Sequence, residues 1–166
     1  MSVTELIPVE EYLSTDYSPD CDFVDGVLED RNVGEKDHST LQAAFIIWFY
    51  LHTKDLGIRV FPEQRVQVST SRYRIPDVCV TIGLPDEQIF TTPPFLCIEI
   101  LSPEDQMRRV LAKIADYLEF GVRYVWLIDP RKQTAIVYTA NEALPVSDGV
   151  LRTQNPDLAV PLSELF

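Results

Sequence analysis

Residues 95–103 read FLCIEILSP, a run of six apolar residues interrupted by one glutamate and followed by a Ser-Pro pair. A short apolar run of this kind is typical of a buried β-strand. An ionised carboxylate in such a strand costs on the order of several kcal/mol to desolvate unless a cation, strong hydrogen-bond donors or water compensates. The charge of Glu99 therefore predicts a partner elsewhere in the chain.

Two helices are predicted, one before this strand and one after it. The first runs from Asp37 to about Leu56, because apolar residues recur there every three or four positions and a glycine follows. After the strand, Ser102 is a good N-cap, Pro103 is a good first helical residue, and Asp105 stands where an acid closes a capping box. The second helix is therefore predicted to begin at the Ser-Pro pair.

Most of the other segments favour strands. Two of them precede the central run and two follow the second helix, namely IRVFPEQRVQVST, YRIPDVCVTI, VRYVWLID and TAIVYT. Helices that pack on one mixed sheet make an α/β layered domain.

The two ends of the chain add smaller elements. IPVEEYLS is predicted to form a short opening helix, and Asp25-Gly26 between apolar-rich arms is a strong signal for a type I′ hairpin. After TAIVYT the chain is punctuated by proline, and a short helix is expected at its end. Since no linker divides the sequence, we expect a single domain over residues 1–166.

Composition indicates a cytoplasmic globular protein. Hydrophobic residues make up 46% and charged residues 24% of the 166 positions, which is enough chain for one core. The longest apolar stretch, Ala43–Leu51, is about half of what spans a bilayer, and the amino terminus lacks a signal peptide's basic region. Cys21, Cys79 and Cys97 form no CxxC pair, which argues against zinc and favours reduced cysteines packed in the core.

The net charge of −12 argues against a simple nucleic-acid binder, but the charge is uneven. Residues 1–37 carry eleven acids and two bases, whereas residues 38–133 carry eleven of each. Folding could gather the bases of this balanced part into a local basic rim, or they could remain scattered over a solvated surface.

The partner of Glu99 is predicted from strand pairing. If consecutive strands pair antiparallel, a register that places Asp77 opposite Glu99 also places Cys79 opposite Cys97. The two carboxylates then share one face of the sheet, where they repel unless one is protonated or a divalent ion lies between them. Because oxygen ligands suit magnesium or manganese, the pair predicts a hard-metal site with Asp77 and Glu99 as ligands.

Two acids on neighbouring strands with a lysine nearby suit phosphodiester hydrolysis. The acids hold the metal that polarises the phosphate and acidifies a water, and the ammonium stabilises negative charge. RIPDVCV, its spacing to CIEILSP, the following lysine and tyrosine, and GVRYVWLIDP resemble the Uma family of restriction-endonuclease-like proteins, within the PD-(D/E)XK nuclease superfamily. The likeness covers roughly residues 20–140.

The resemblance implies a restriction-endonuclease-like αβββαβ core, in which a mixed central sheet is flanked by helices, here with an extra N-terminal helix and hairpin. It also implies a Mg²⁺- or Mn²⁺-dependent endonuclease that acts on DNA, often as a homodimer, with Asp77 and Glu99 as catalytic metal ligands. The superfamily lysine would stand at position 101, where this chain has Leu101. The likeness assigns its role to Lys113 on the second helix; the alternative is a lysine that extends its amine to solvent.

Four further residues are candidates for the site. DFVDGVL resembles the family segment that contributes another acid, so Asp22 is a catalytic candidate, with a solvated aspartate beside the turn as the alternative. His38 matches a histidine common in the family, but it fits an ordinary first-turn histidine equally well and we assign it no catalytic role. Arg109, one turn before Lys113, would lower the pKa of that lysine, contact phosphate or lie exposed. Glu63, beside Pro62, is a lesser candidate because this pattern more often marks an edge strand.

Three functions fit these observations, and a metal-dependent DNA endonuclease fits best. A non-catalytic interaction module that kept the nuclease scaffold is the second, suggested by the net charge of −12 and by Leu101. A hydrolase that uses the acid pair without metal, as glycosidases do, ranks last because the chain shows little aromatic enrichment for sugar stacking.

Overall fold

The computed structural model describes residues 5–166 of the chain. Its helices are α1 (Val9–Ser14), α2 (Lys36–Leu51), α3 (Thr53–Leu56) and α4 (Met107–Phe120), with a 3-10 helix at Leu162–Glu164. Its strands are β1 (Cys21–Val24), β2 (Val27–Asp30), β3 (Ile58–Pro62), β4 (Val66–Ser69), β5 (Arg72–Arg74), β6 (Val78–Ile82), β7 (Leu96–Ile100), β8 (Tyr124–Asp129), β9 (Thr134–Tyr138), β10 (Ala143–Pro145), β11 (Val150–Thr153) and β12 (Leu158–Pro161). None of the helices in this described part is long and apolar enough to cross a membrane.

Six strands form the central sheet, in the order β10-β9-β8-β7-β6-β3. The pair β7–β8 is parallel, whereas the other neighbouring pairs are antiparallel. Helix α4 connects the two parallel strands, since a parallel pair needs a crossover. The elements α2, β3, β6, β7, α4 and β8 follow one another as helix, three strands, helix and strand in this layer. The predicted mixed sheet flanked by helices is therefore confirmed.

Alternating side chains of the central strands separate two apolar layers. Successive residues of a strand point to opposite faces of the sheet. On one face, Val78, Val80 and Ile98 pack with Phe45 and Phe49 of α2. On the other face, side chains of β6 and β7 pack with those of α4, and this cluster includes Cys79, Cys97, Val110, Ile114 and Tyr117. Glu99, two residues after Cys97, therefore points to the α4 side.

A smaller sheet with the order β2-β1-β5-β4 carries the predicted hairpin. The hairpin turns at Asp25 and Gly26, whose φ angles of 50° and 88° are the two positive values that a type I′ turn requires. Tyr12 of α1 stacks on Phe23 of β1 at a ring-centroid distance of 4.9 Å. The opening helix and the hairpin are thus confirmed, and they form one unit beside the central sheet.

Each of the two long stretches predicted before the central strand is split between the sheets. IRVFPEQRVQVST forms β3 in the central sheet and β4 in the smaller one, and YRIPDVCVTI forms β5 and β6 in the same way. The first break falls at Glu63, whose φ is 48°. The second contains Pro76, which cannot donate a ladder hydrogen bond. Each stretch thus forms strands as predicted, but two of them rather than one, because the chain changes sheets at these points.

The predicted helix boundaries also need correction. Helix α4 begins at Met107 and has no side-chain cap, so the predicted start at Ser102 was wrong. The carboxylate of Asp105 does accept a hydrogen bond from the Ser102 N–H at 2.7 Å, but this bond closes a separate turn that precedes the helix. The first helix ends at Leu51, and α3 follows as a separate short turn of helix.

The carboxyl-terminal residues form the β11–β12 hairpin, where sequence patterns indicated only a proline-punctuated segment. Leu151, Leu158 and Val160 of this hairpin are buried in the core layer on the α2 side. The short helix expected at the end is present as the 3-10 helix, which is anchored by a 3.0 Å hydrogen bond from Trp48 to Glu164. The hairpin therefore covers part of the core that α2 leaves open.

We predict that Phe45→Ala lowers the free energy of unfolding by about 3–5 kcal/mol, because a buried aromatic ring leaves a cavity. Phe45 is 0% exposed, whereas Ile47 on the same helix is 59% exposed. Ile47→Ala is therefore the matched control, with an expected loss of less than about 1 kcal/mol. Urea unfolding followed by circular dichroism measures both, and equal losses would contradict the packing described above.

Candidate active site

A cavity of about 280 Å³ opens between the central sheet, α4 and the β1–β2 hairpin. Its lining is mostly polar and comes from three parts of the chain that are far apart in sequence. The charged residues of the lining are Asp22, Glu29, Asp30, Arg31, His38, Asp77, Glu99, Glu104, Asp105, Arg109 and Lys113. All four residues predicted to be catalytic, namely Asp22, Asp77, Glu99 and Lys113, are among them.

Asp77 and Glu99 lie side by side at the back of this cavity. Cys79 is paired with Cys97 across β6 and β7, as predicted, and continuing this antiparallel register brings Asp77 next to Glu99. The Asp77 Oδ2 atom accepts a 2.7 Å hydrogen bond from the backbone N–H of Ile100. Each of the two acids is only 6% exposed. The two carboxylates therefore face the same cavity from neighbouring strands.

Lys113 reaches this pair from α4. Its Nζ atom lies 2.9 Å from Glu99 Oε2 and 3.7 Å from Asp22 Oδ2, and its side chain is 15% exposed. The amine is thus directed into the cavity, and the alternative of a lysine extended to solvent was wrong. Because α4 begins at Met107, Lys113 lies in the second turn of the helix instead of the third, close enough for its amine to reach Glu99.

Tyr117 holds the other oxygen of Glu99. Its hydroxyl donates a 2.7 Å hydrogen bond to Glu99 Oε1 from one turn beyond Lys113. Tyr117 is the tyrosine of the family motif that follows the lysine, and its ring is fully buried. The lysine and tyrosine spaced four residues apart on α4 thus satisfy both oxygens of the buried glutamate.

Asp22 is held by the protein rather than by solvent. Its side chain is 2% exposed, and its Oδ1 atom accepts a 3.1 Å hydrogen bond from the Ile75 N–H. Arg74, itself buried, donates to Asp22 at 3.2 Å, to Glu29 at 2.6 Å and to Asp116 at 2.7 Å. We call these four side chains the Arg74 network. It ties the β1–β2 hairpin to α4 and fixes Asp22 at the edge of the cavity.

Two basic groups contact Asp77 that sequence analysis did not assign to the site. The Nη2 atom of Arg31 lies 3.2 Å from Asp77 Oδ1, and the Nε2 atom of His38 lies 3.3 Å from the same oxygen. The position of His38 at the start of α2 was a usable signal, whereas Arg31 follows β2 in an irregular segment and no local pattern marks it. Both side chains are mostly buried, at 14% and 12% exposure.

The two remaining candidates lie farther from the acid pair. Arg109 lines the cavity from the first turn of α4. Glu63 is 53% exposed, and its Oε1 atom is 4.0 Å from Nη1 of Arg31. Its backbone N–H donates a 3.2 Å hydrogen bond to the carbonyl of Asp77, which places Glu63 at the same edge of the sheet.

Burial and neighbouring charges shift the pKa values of the central groups in different directions. Burial raises the pKa of Glu99 to about 7, against the attraction of Lys113 and with the repulsion of Asp77 adding to the rise. Burial also acts to raise the pKa of Asp77, but the hydrogen bond from His38 and the charges of Lys113 and Arg31 outweigh it and lower this pKa.

The bases around these acids keep their protons more firmly than usual. Burial acts to lower the pKa of Lys113, but the carboxylates of Asp22, Glu99 and Asp77 outweigh it and raise this pKa. The hydrogen bond to Asp77 raises the pKa of His38. At neutral pH the site therefore contains a protonated lysine beside a carboxylate whose pKa is raised by burial.

The donor set fits a hard divalent ion. Mg²⁺ is usually held by one or two protein carboxylates together with water and substrate phosphate, and Asp77 and Glu99 supply two such carboxylates on one wall. Within residues 5–166, no group of three or more histidine, cysteine, aspartate and glutamate side chains is arranged to hold a metal ion. Water and phosphate would have to supply the remaining ligands of an ion held by Asp77 and Glu99.

Comparisons with known proteins identify the family and the fold of the chain. A family model described as "Uma2: Putative restriction endonuclease" matches residues 9–164. A crystal structure of "a putative nuclease belonging to DUF820" from Anabaena variabilis superposes with a TM-score of 0.85 at 26% identity, covering 96% of this chain and 97% of the other. None of the curated proteins compared with the chain matches it.

We predict that Arg74→Ala lowers the free energy of unfolding by about 3–5 kcal/mol, because three buried or half-buried carboxylates then lose their shared cation. Arg74 is 1% exposed, whereas Arg152 forms an exposed pair with Asp148. Arg152→Ala is therefore the control, and its stability should equal that of the wild type. Thermal and urea unfolding measure both variants. A near-neutral Arg74→Ala would show that the network does not tie the hairpin to α4.

Proposed function

The chain belongs to the Uma2 family, described as "Putative restriction endonuclease", and we propose that it is a divalent-metal-dependent endonuclease that hydrolyses DNA phosphodiester bonds. Family and fold are those of a nuclease. Metal-dependent hydrolysis of DNA is supported above all by the convergence of Asp77 and Glu99 on one cavity, with the Lys113 amine 2.9 Å from Glu99. Two acids and a lysine in one polar cavity are the groups that this hydrolysis needs.

Asp77 and Glu99 are the proposed ligands of Mg²⁺ or Mn²⁺. When bound, such an ion polarises the phosphate and acidifies a water. Hydrolysis adds the water oxygen to phosphorus, breaks one phosphorus–oxygen ester bond and leaves a proton for the departing oxygen. Because the N–H of Ile100 holds Asp77 and the hydroxyl of Tyr117 holds Glu99, both carboxylates are oriented before substrate arrives.

Lys113 and Asp22 complete the proposed catalytic set. The pKa of Lys113 is raised, so its ammonium remains charged and can stabilise the negative charge that develops on the phosphate. Asp22 lies 3.7 Å from the amine and is held by Arg74, so it positions Lys113. Lys113 thus takes the role of the lysine that the superfamily pattern would put at Leu101.

DNA is the proposed substrate and a homodimer is the proposed form of the protein, as the family resemblance implies. The cytoplasm is the proposed location, as the composition indicates. The basic side chains of Arg31 and Arg109 at the cavity suit contacts with phosphate, since guanidinium groups bind it bidentately. Light scattering would give twice the 19.0 kDa of the chain for a homodimer.

A non-catalytic interaction module with a nuclease fold is the second candidate. It is favoured by Leu101 and by the occupation of Asp77 Oδ1 by two protein bases. Isothermal titration calorimetry separates the two candidates, because such a module would bind no Mg²⁺ through Asp77 and Glu99.

We predict that Asp77→Asn and Glu99→Gln each reduce DNA cleavage by about 10³-fold or more, because each removes a metal ligand and the stabilisation of several kcal/mol that the ion gives. Lys113→Met should reduce cleavage by about 10²- to 10³-fold, since it removes one charged donor. Nicking of supercoiled plasmid in Mg²⁺ or Mn²⁺, with a chelator as blank, measures these rates.

Arg123→Gln is the control for these variants, because Arg123 bonds to backbone carbonyls of residues 154 and 155 and lies outside the cavity. Its cleavage rate should equal that of the wild type. If both acid variants cleave at the wild-type rate, the proposed function is wrong.

A further inference from the structure

Both carboxylate oxygens of Asp77 already have partners within the protein. Oδ2 is bound by the Ile100 N–H at 2.7 Å, deep in the sheet. Oδ1 is contacted by Arg31 at 3.2 Å and by His38 at 3.3 Å, and both of these groups line the cavity. Each carboxylate oxygen has about two acceptor positions. Both positions of Oδ1 are therefore occupied, and a metal ion that binds this oxygen must displace one of the two bases.

Arg31 is the base that must leave. A divalent ion would lie about 2.1 Å from the oxygen that it binds, well inside the present distance to the guanidinium. Among the carboxylates of the described residues, His38 pairs with Asp77 alone, whereas Arg31 also lies 4.0 Å from Glu63. Arginine cannot be deprotonated, so its charge would oppose the ion at close range.

A second acceptor for the guanidinium is already in place at Glu63. The Oε1 atom of Glu63 is 4.0 Å from Nη1 of Arg31, and its side chain is half exposed and is not part of the cavity lining. The 3.2 Å hydrogen bond from its backbone N–H to the Asp77 carbonyl fixes this residue next to Asp77. Its φ of 48° is uncommon for a residue other than glycine, asparagine or aspartate. A short rotation of Arg31 toward Glu63 would free Oδ1 without leaving the guanidinium unpaired.

We propose that Arg31 neutralises Asp77 as an internal cation until a metal ion binds. The Arg31 side chain then turns to Glu63 and contacts the DNA phosphate there. This inference rests on the proposed function, and it adds a residue that exchanges a metal ligand for a substrate contact. Guanidinium groups suit this second role because their paired donors match phosphate oxygens. It gives Glu63 a role that an edge-strand position alone does not explain.

Calorimetric titration with MnCl₂ in the absence of DNA tests the first step. Arg31→Gln should bind Mn²⁺ about tenfold more tightly than the wild type, which corresponds to about 1.4 kcal/mol. Glu63→Gln should bind it several-fold more weakly, because Arg31 then has no second carboxylate to pair with. In the double variant the Glu63→Gln effect should vanish, which a double-mutant cycle detects as non-additivity.

Arg59→Gln is the matched control, because it makes the same charge change on β3 and Arg59 does not line the cavity. Its Mn²⁺ affinity should change much less than that of Arg31→Gln. Half-exposed Glu63 tolerates substitution without a packing cost, so the Glu63→Gln arm holds even if Arg31→Gln folds poorly. Equal or weaker Mn²⁺ binding by Arg31→Gln, or unchanged binding by Glu63→Gln, overturns the proposal.

Steady-state cleavage at saturating Mn²⁺ tests the second step. Arg31→Gln should raise the KM for duplex DNA several-fold and change kcat less, since the lost contact is to the bound phosphate. An unchanged KM overturns the substrate contact. If the wild type binds Mn²⁺ but cleaves no DNA, the proposed function fails, while the titrations still decide whether Arg31 competes with the ion.

Discussion

The buried carboxylate of Glu99 is the constraint on which the rest of the structure depends. A charge in the middle of β7 must be compensated inside the protein, and Lys113 and Tyr117 do this with hydrogen bonds of 2.9 and 2.7 Å. Both donors come from α4, so the helix has to pack with one particular face on the sheet. The same contact directs a lysine amine into the cavity. The packing of α4 on the sheet and the placement of the Lys113 amine in the cavity therefore depend on the same contacts with Glu99.

The charged side chains of the cavity lie at one end of the sheet, on the side that α4 covers. On the α2 side the central sheet is covered by apolar side chains, including the fully buried Trp126, Phe45 and Phe49. On the α4 side the apolar cluster is followed by the carboxylates of the cavity. Beside them the Arg74 network joins the β1–β2 hairpin to α4. Within residues 5–166, this network and the Glu99 contacts hold three separate chain segments around one cavity. The protein thus fixes its carboxylates with charge-assisted bonds rather than with apolar packing.

Sequence patterns predicted the features that are set by pairing between consecutive strands. The register of Asp77 and Glu99 followed from antiparallel pairing of consecutive strands, and Cys79 opposite Cys97 confirms it. Lys113 and Asp22 came from the family resemblance. Arg31 was missed because its contact with Asp77 joins residues 46 positions apart and no periodicity encodes it. The start of α4 was misplaced because the side chain of Asp105 closes a turn with Ser102 instead of capping a helix, and its other oxygen bonds to Asn32.

A crystal soaked in MnCl₂ would show whether Asp77 and Glu99 bind one ion together, because anomalous scattering locates Mn²⁺ without any assumption about substrate. We expect a peak about 2.1 Å from carboxylate oxygens of both side chains, with the Lys113 amine close by and Arg31 moved toward Glu63. A fully soaked crystal with no peak between these two side chains, or with a peak bound to only one of them, would contradict the account.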